Sequence, residues 1–139
     1  MLFRSNLMTH RYIGTKEITA WEQEKDDQPG YAVKYADGYI SWSPKAAFEE
    51  AYRVSEGDEQ RLTFGDAIHF LKAGKRVARA GWNGKGLWLE LQVPDAHSKM
   101  TLPYIFLSYP DNAQNTPGAR VPWLASQTDA LSADWMVLA

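Results

Sequence analysis

The chain has 139 residues, no cysteine, 15 Lys+Arg against 17 Asp+Glu, and six tryptophans. That length holds one ordinary domain or two very small ones, and a 45% hydrophobic content rules out wholesale disorder. The missing cysteines exclude a disulfide scaffold, a thiolate nucleophile and Cys-ligated zinc or iron–sulfur centres.

No run approaches the ~18 apolar residues of a membrane helix. The opening Met1-Leu2-Phe3-Arg4-Ser5-Asn6-Leu7 is too short and polar for a signal peptide, and reads as a poorly ordered lead-in. A cytoplasmic protein is expected. Charge divides the chain: residues 1–60 hold seven basic and eleven acidic side chains, residues 61–139 eight and six. The polar stretch Val54–Gln60 between them reads as a linker. The expected fold class is α+β, in two small modules over residues 1–57 and 62–139. Each is a mostly antiparallel sheet with one or two short helices.

In the first module Tyr12–Trp21 is strand-like, and Tyr31–Tyr35 alternates with Tyr31, Val33 and Tyr35 on one face. Asp37-Gly38 predicts a two-residue hairpin turn, with Tyr39–Trp42 as the returning strand. Ser43 is the expected cap of a helix that begins at Pro44 and places Phe48, Ala51 and Tyr52 on one face. The aromatics, Trp21 and Trp42 among them, read as that module's core.

The second module opens on a helix signal: Thr63 as N-cap with Asp66 three residues on, then Phe64, Ala67, Ile68 and Leu71 on one face. Gly74 supplies the left-handed stop. Strands are expected at 76–80, 87–93, 102–108 and 134–138, with a short helix near 127–132. Trp135 is expected to anchor the last strand.

Asn83-Gly84 is the strongest turn signal. A two-residue turn there pairs residues whose numbers sum to 167, so Ala78, Ala80, Leu87, Leu89 and Leu91 are buried and Arg79 faces Trp88 on the other side. Gly81, Gly84 and Gly86 also permit a wider loop. The Arg79–Trp88 pair fits either a structural cation–π contact or half of a nucleotide clamp.

Lys72, Lys75, Arg76, Arg79 and Lys85 fall in one short stretch beside Gly81-Trp82-Asn83-Gly84-Lys85-Gly86. A charge run is usually a solvated face, yet bare amides and a tryptophan beside it suit a compact anion better than a duplex. The glycine spacing matches neither the dinucleotide fingerprint nor a P-loop. His10, His69 and His97 have no metal-spaced partners, and Asp95, His97 and Ser98 are too close for a serine triad. No metal, cofactor or catalytic set is expected. The run Val121–Asp129 fits a helix cap, Ser126 with Asp129, and equally a polar ligand loop at a helix N-terminus.

Taken in order, Thr63-Phe64-Gly65-Asp66-Ala67, Gly74-Lys75-Arg76-Val77-Ala78-Arg79, Gly81–Gly86, Val121–Asp129 and Asp134-Trp135 resemble the Thoeris anti-defence two family of phage and prophage proteins. The resemblance spans about residues 62–139. The leader, with Tyr12–Lys16 and Gly38–Lys45, resembles a small phage-associated domain fused to various partners.

The family resemblance implies a sponge. Such proteins hold a cyclic nucleotide second messenger of the cyclic ADP-ribose type, notably glycocyclic ADP-ribose, without cleaving it, in the cytoplasm of an infected or lysogenic bacterium. It further implies a homo-oligomer, dimer or tetramer, with no membrane or nucleic-acid partner. Carried over by position, it implies a ligand site of Trp82, Asn83 and Lys85 with Trp123, Ser126, Gln127, Thr128 and Asp129, and Arg79 is added from the basic stretch. The roles expected are Trp82 on the adenine, Arg79 or Lys85 toward the diphosphate, and Ser126, Gln127 and Asp129 on ribose hydroxyls. Two other readings compete: a phage structural or regulatory interaction module, and a nucleotide-processing enzyme.

Overall fold

The structure, a computed structural model, describes residues 8–138, so the lead-in read at residues 1–7 lies outside the described residues. It is α+β, with two antiparallel sheets and three short helices. The chain divides into two compact units, one ending at Phe48 and one starting at Glu49. No helix among the described residues is long and apolar enough to cross a membrane.

In the first unit, β1 (Thr19–Glu22), β2 (Gly30–Lys34) and β3 (Ile40–Pro44) form a meander. Strand character starts at Thr19 rather than Tyr12. Thr19 pairs with Lys34, the last residue of β2, so residues 12–18 lie beyond the end of that strand. Ile13 is accordingly fully exposed.

The Asp37-Gly38 signal does mark the hairpin, but the turn is longer than expected. The chain reverses over Ala36, Asp37 and Gly38, with Gly38 N–H donating to Tyr35 O and Tyr35 N–H to Tyr39 O. Only Gly38 takes a positive φ, at 90°, as in a type I turn closed by a glycine bulge. Ser43 does not cap the helix: it is a β3 residue opposite Tyr31, and α1 starts at Lys45 (Lys45–Ala51). Phe48 stacks on Tyr31, centroids 4.1 Å apart.

Trp21 corrects the reading of the first module's core. It lies on edge strand β1 in register with Ala32 and Trp42, and is 42% exposed while Ala32 beneath is buried. A three-stranded sheet of this size has no second layer to bury an edge indole.

In the second unit α2 (Phe64–Lys72) begins at the predicted capping box. Thr63 Oγ1 accepts from Asp66 N–H, and Asp66 Oδ2 accepts from Thr63 N–H. It ends in a Schellman motif: Gly74, at φ 85°, donates to Leu71 O, and Lys75 donates to Phe70 O. Arg53 makes two hydrogen bonds to the Asp66 carboxylate. The pKa of Asp66 lies below the ordinary value: burial opposes ionisation, but the bonds from Arg53 and Thr63 prevail.

The sheet has the order β7-β6-β5-β4-β8, from β4 (Val77–Arg79), β5 (Trp88–Gln92), β6 (Tyr104–Ser108), β7 (Arg120–Pro122) and β8 (Trp135–Val137). Strand β7 was not expected. Pro122 ends it at the sheet edge, where its missing N–H is tolerated. Helix α3 (Gln127–Leu131) separates β7 from β8. The core is Leu62, Ala67, Phe70 and Leu71 packed on Val77, Leu89 and Trp135. Gln60, last residue of the stretch read as a linker, is buried here and bonds Val137 through both its amide oxygen and nitrogen.

The β4–β5 pairing differs from the expected register. Val77 faces Leu89, so the numbers sum to 166 rather than 167. No two-residue turn forms at Asn83-Gly84. The chain makes a wide loop over residues 80–87, and the positive φ falls on Gly86 at 81°. Because side chains alternate along a strand, the one-residue difference puts Val77 and Arg79 on the face expected for Ala78 and Ala80.

Leu71→Ala should destabilise the chain by about 2–5 kcal/mol in denaturant unfolding, because α2 loses its contact with the sheet. Leu131→Ala, at a site 81% exposed, should stay within about 0.5 kcal/mol of the parent.

Candidate functional site

Arg79 ends β4 directly opposite Trp135 of β8, so the two share the helix-bearing face of the sheet. This overturns the expected Arg79–Trp88 pair. Trp88 instead has Arg76 over its ring, 5.3 Å from the centroid, and donates from Nε1 to Glu90. Arg79 reaches two carboxylates. Its Nη1 donates to Asp129 Oδ1 at 2.8 Å and its Nε to Asp134 Oδ1 at 2.8 Å.

Asp129 is fixed first by local sequence. It is the third residue of α3, where its amide donates to Ser126 Oγ at 3.0 Å and its Oδ2 accepts from Ser126 N–H at 3.1 Å, completing the predicted capping box. The other oxygen, Oδ1, accepts from Arg79 and from Trp82 Nε1 at 3.1 Å. The Asp129 carbonyl accepts from Trp135 Nε1 at 3.0 Å. One residue thus joins helix cap, strand arginine, loop indole and core indole.

Around this hub four aromatic rings pack together, with Trp135 edge to face against Trp82 and Trp123. Trp135 is fully buried, meeting Trp82 at 5.6 Å and Trp123 at 6.1 Å between centroids, both steeply inclined. Phe64 closes the group at 5.3 Å from Trp135. In the two steeply inclined indole pairs a positive ring edge meets a negative ring face. Trp82 and Trp123 are half-buried at the margin of the core.

Burial opposes the charge on Asp129, but the bonds from Arg79, Trp82 and Ser126 more than offset it and lower its pKa to about 2. The pKa of Asp134 is lowered chiefly by Arg79, against burial, with help from the Gly81 amide. Arg79 is held protonated by both acids. The group carries one positive and two negative charges, so it is not a free cationic site.

Of the residues proposed from sequence, Arg79, Trp82, Trp123, Ser126 and Asp129 come together in this cluster. Asn83 and Lys85 are exposed on the loop that carries Trp82, and Gln127 and Thr128 are exposed in the first turn of α3. Asp134 and Gly81 were not assigned a site role, although Asp134-Trp135 is a distinctive pair. Among the described residues no group of three or more His, Cys, Asp or Glu side chains is placed to hold a metal ion.

The fold and this cluster define a small α+β domain in which two loops, distant in sequence, are fastened to one helix cap. Residues 62–138 match the family model described as the Thoeris anti-defense 2-like domain, and the chain belongs to that family. It is similar to Thoeris anti-defense 2 of Bacillus phage SP01, 32% identical over 91 residues that cover 56% of this chain and 96% of the relative.

Asp129→Asn keeps the cap acceptor and loses the ion pair, and should cost about 3 kcal/mol at neutral pH. Because the folded pKa of Asp129 lies below the unfolded value of ~3.9, its contribution is present above pH ~4 and lost as pH falls toward 2. An acid titration of the melting temperature should therefore fall less steeply between pH 4 and 2 in Asp129→Asn than in the parent.

Proposed function

We propose that the protein counters Thoeris anti-phage defence by binding a cyclic ADP-ribose-type signal, such as glycocyclic ADP-ribose, and sequestering it uncleaved. The observation that carries this reading is the shared attachment of two loops to Asp129. It sets the Trp82-Asn83-Gly84-Lys85 segment beside the Trp123–Thr128 segment, the two stretches that the family resemblance marks for ligand. Membership of the Thoeris anti-defense 2-like family and the likeness to the phage SP01 protein support the anti-defence role.

The ligand roles divide between an outer and an inner set. Trp82 stacks the adenine, which supplies apolar area without a base-specific code. Lys85 takes the diphosphate, since its ammonium is exposed while the Arg79 guanidinium is matched by two carboxylates. Asn83, Gln127 and Thr128 offer hydrogen bonds to ribose hydroxyls. Ser126 retains its hydroxyl proton as a donor, and Asp129 Oδ2 a lone pair as an acceptor. Arg79 holds the inner set in place.

The chemistry favours binding over turnover. A general acid needs a pKa near the working pH, and Asp129 is held at about 2. The protein acts as a homo-oligomer, dimer or tetramer, in the cytoplasm of the infected or lysogenic host.

The test is to mix the protein with glycocyclic ADP-ribose, measure depletion of free ligand, then heat-denature and identify what is released. Intact ligand is expected. Altered ligand would show an enzyme, and an undepleted solution would favour an interaction module. Trp82→Ala should weaken binding about tenfold or more, and full depletion by that variant would refute the assignment of the site.

A further inference from the structure

The indole nitrogen of Trp82 is held by Asp129, but the backbone that carries the ring is held elsewhere. Where the loop 80–87 leaves β4, the Gly81 amide donates to Asp134 Oδ2 at 2.8 Å. The preceding amide, of Ala80, donates to the Asp134 carbonyl at 3.0 Å. A Cβ at position 81 would stand 2.6 Å from Asp134 Oδ2, so a side chain there must displace either the carboxylate or the loop and break the bond between them. At the other end Gly86 turns at positive φ against Pro110. The intervening segment is therefore bonded at its start, and at its other end it turns close to the Pro110 ring.

We infer that Asp134 is a positioning residue for the ligand site: through the Gly81 amide and the Arg79 guanidinium it sets the path of the loop that presents Trp82, Asn83 and Lys85. Both its carboxylate oxygens are turned inward, Oδ1 to Arg79 and Oδ2 to Gly81 and Arg79. It acts without touching ligand, by removing loop freedom that binding would otherwise have to remove. For its ligand the inference rests on the proposed function; for the loop it stands on the hydrogen bonds alone.

Asp134→Ala deletes both acceptors. Its Gly81 amide should exchange with solvent about tenfold faster, and its affinity for glycocyclic ADP-ribose by calorimetry should fall about tenfold. Gly81→Ala keeps the carboxylate but drives the loop off it, and should weaken binding to a similar degree. This second variant decides the matter if Asp134→Ala fails to fold.

The double variant Trp82→Ala/Asp134→Ala should lose less affinity than the two single losses combined, because part of the Asp134 effect runs through Trp82. Additive losses, full affinity in Gly81→Ala, or unchanged Gly81 exchange in Asp134→Ala would each overturn the inference. Should the parent protein bind no glycocyclic ADP-ribose, the functional reading fails, and the Gly81 exchange rate alone decides whether Asp134 positions the loop.

Discussion

The carboxylate of Asp129 is the constraint on which the second unit's organisation depends. Its two oxygens have different duties. Oδ2 belongs to the helix, accepting the Ser126 amide that α3 would otherwise leave unpaired. Oδ1 belongs to the tertiary structure, accepting Arg79 from the sheet and Trp82 from the loop. A buried carboxylate with only one of these sets would be costly, because desolvation penalises the charge whatever it pairs with. With both it is ionised, satisfied and fixed in orientation. The cap orients the acid, and the acid then orients the loop.

The two capping boxes and the Gly74 stop carry through from sequence to structure, whereas the Ser43 cap and the two-residue Asn83-Gly84 turn do not. Both capping boxes are i, i+3 patterns whose partners are a helical turn apart, so Thr63–Asp66 and Ser126–Asp129 were legible without tertiary information. The Gly74 stop was legible for the same reason. The β4–β5 register was not, since a two-residue turn was read from Asn83-Gly84 alone. Hydrogen bonds from elsewhere in the chain hold this loop: Asp134 at Gly81 and Asp129 at Trp82. No window centred on the turn contains either of them. The cost of that one-residue error was specific: it turned Arg79 toward Trp88 and solvent, when it faces Trp135 and the acids.

The tryptophans show how far composition can be pushed. Six indoles in 139 residues suggest large cores, but core size is limited by layers and not by supply. In the second unit α2 packs on β4, β5 and β8, and Trp135 is wholly enclosed. In the first, the meander has one helix against Tyr31, and Trp21 and Trp42 flank Ala32. Small Ala32 is buried there while the edge indole stays open. Likeness of residue type was a poor guide to burial, and strand position a good one.

A binder that must retain its ligand has a different requirement from an enzyme. Turnover needs interactions that strengthen in the transition state, whereas retention is served by ground-state complementarity and little loss of freedom on binding. The Asp129–Arg79–Asp134 group fits the second requirement. Its acids are ionised and hydrogen-bonded by Arg79, Trp82, Gly81 and Ser126, which leaves them poor proton donors and good struts. The charges nearest the aromatic rings hold the protein in shape, and Asn83, Lys85, Gln127 and Thr128 stay exposed. Committing these three ionisable groups to rigidity is consistent with the proposed sequestration.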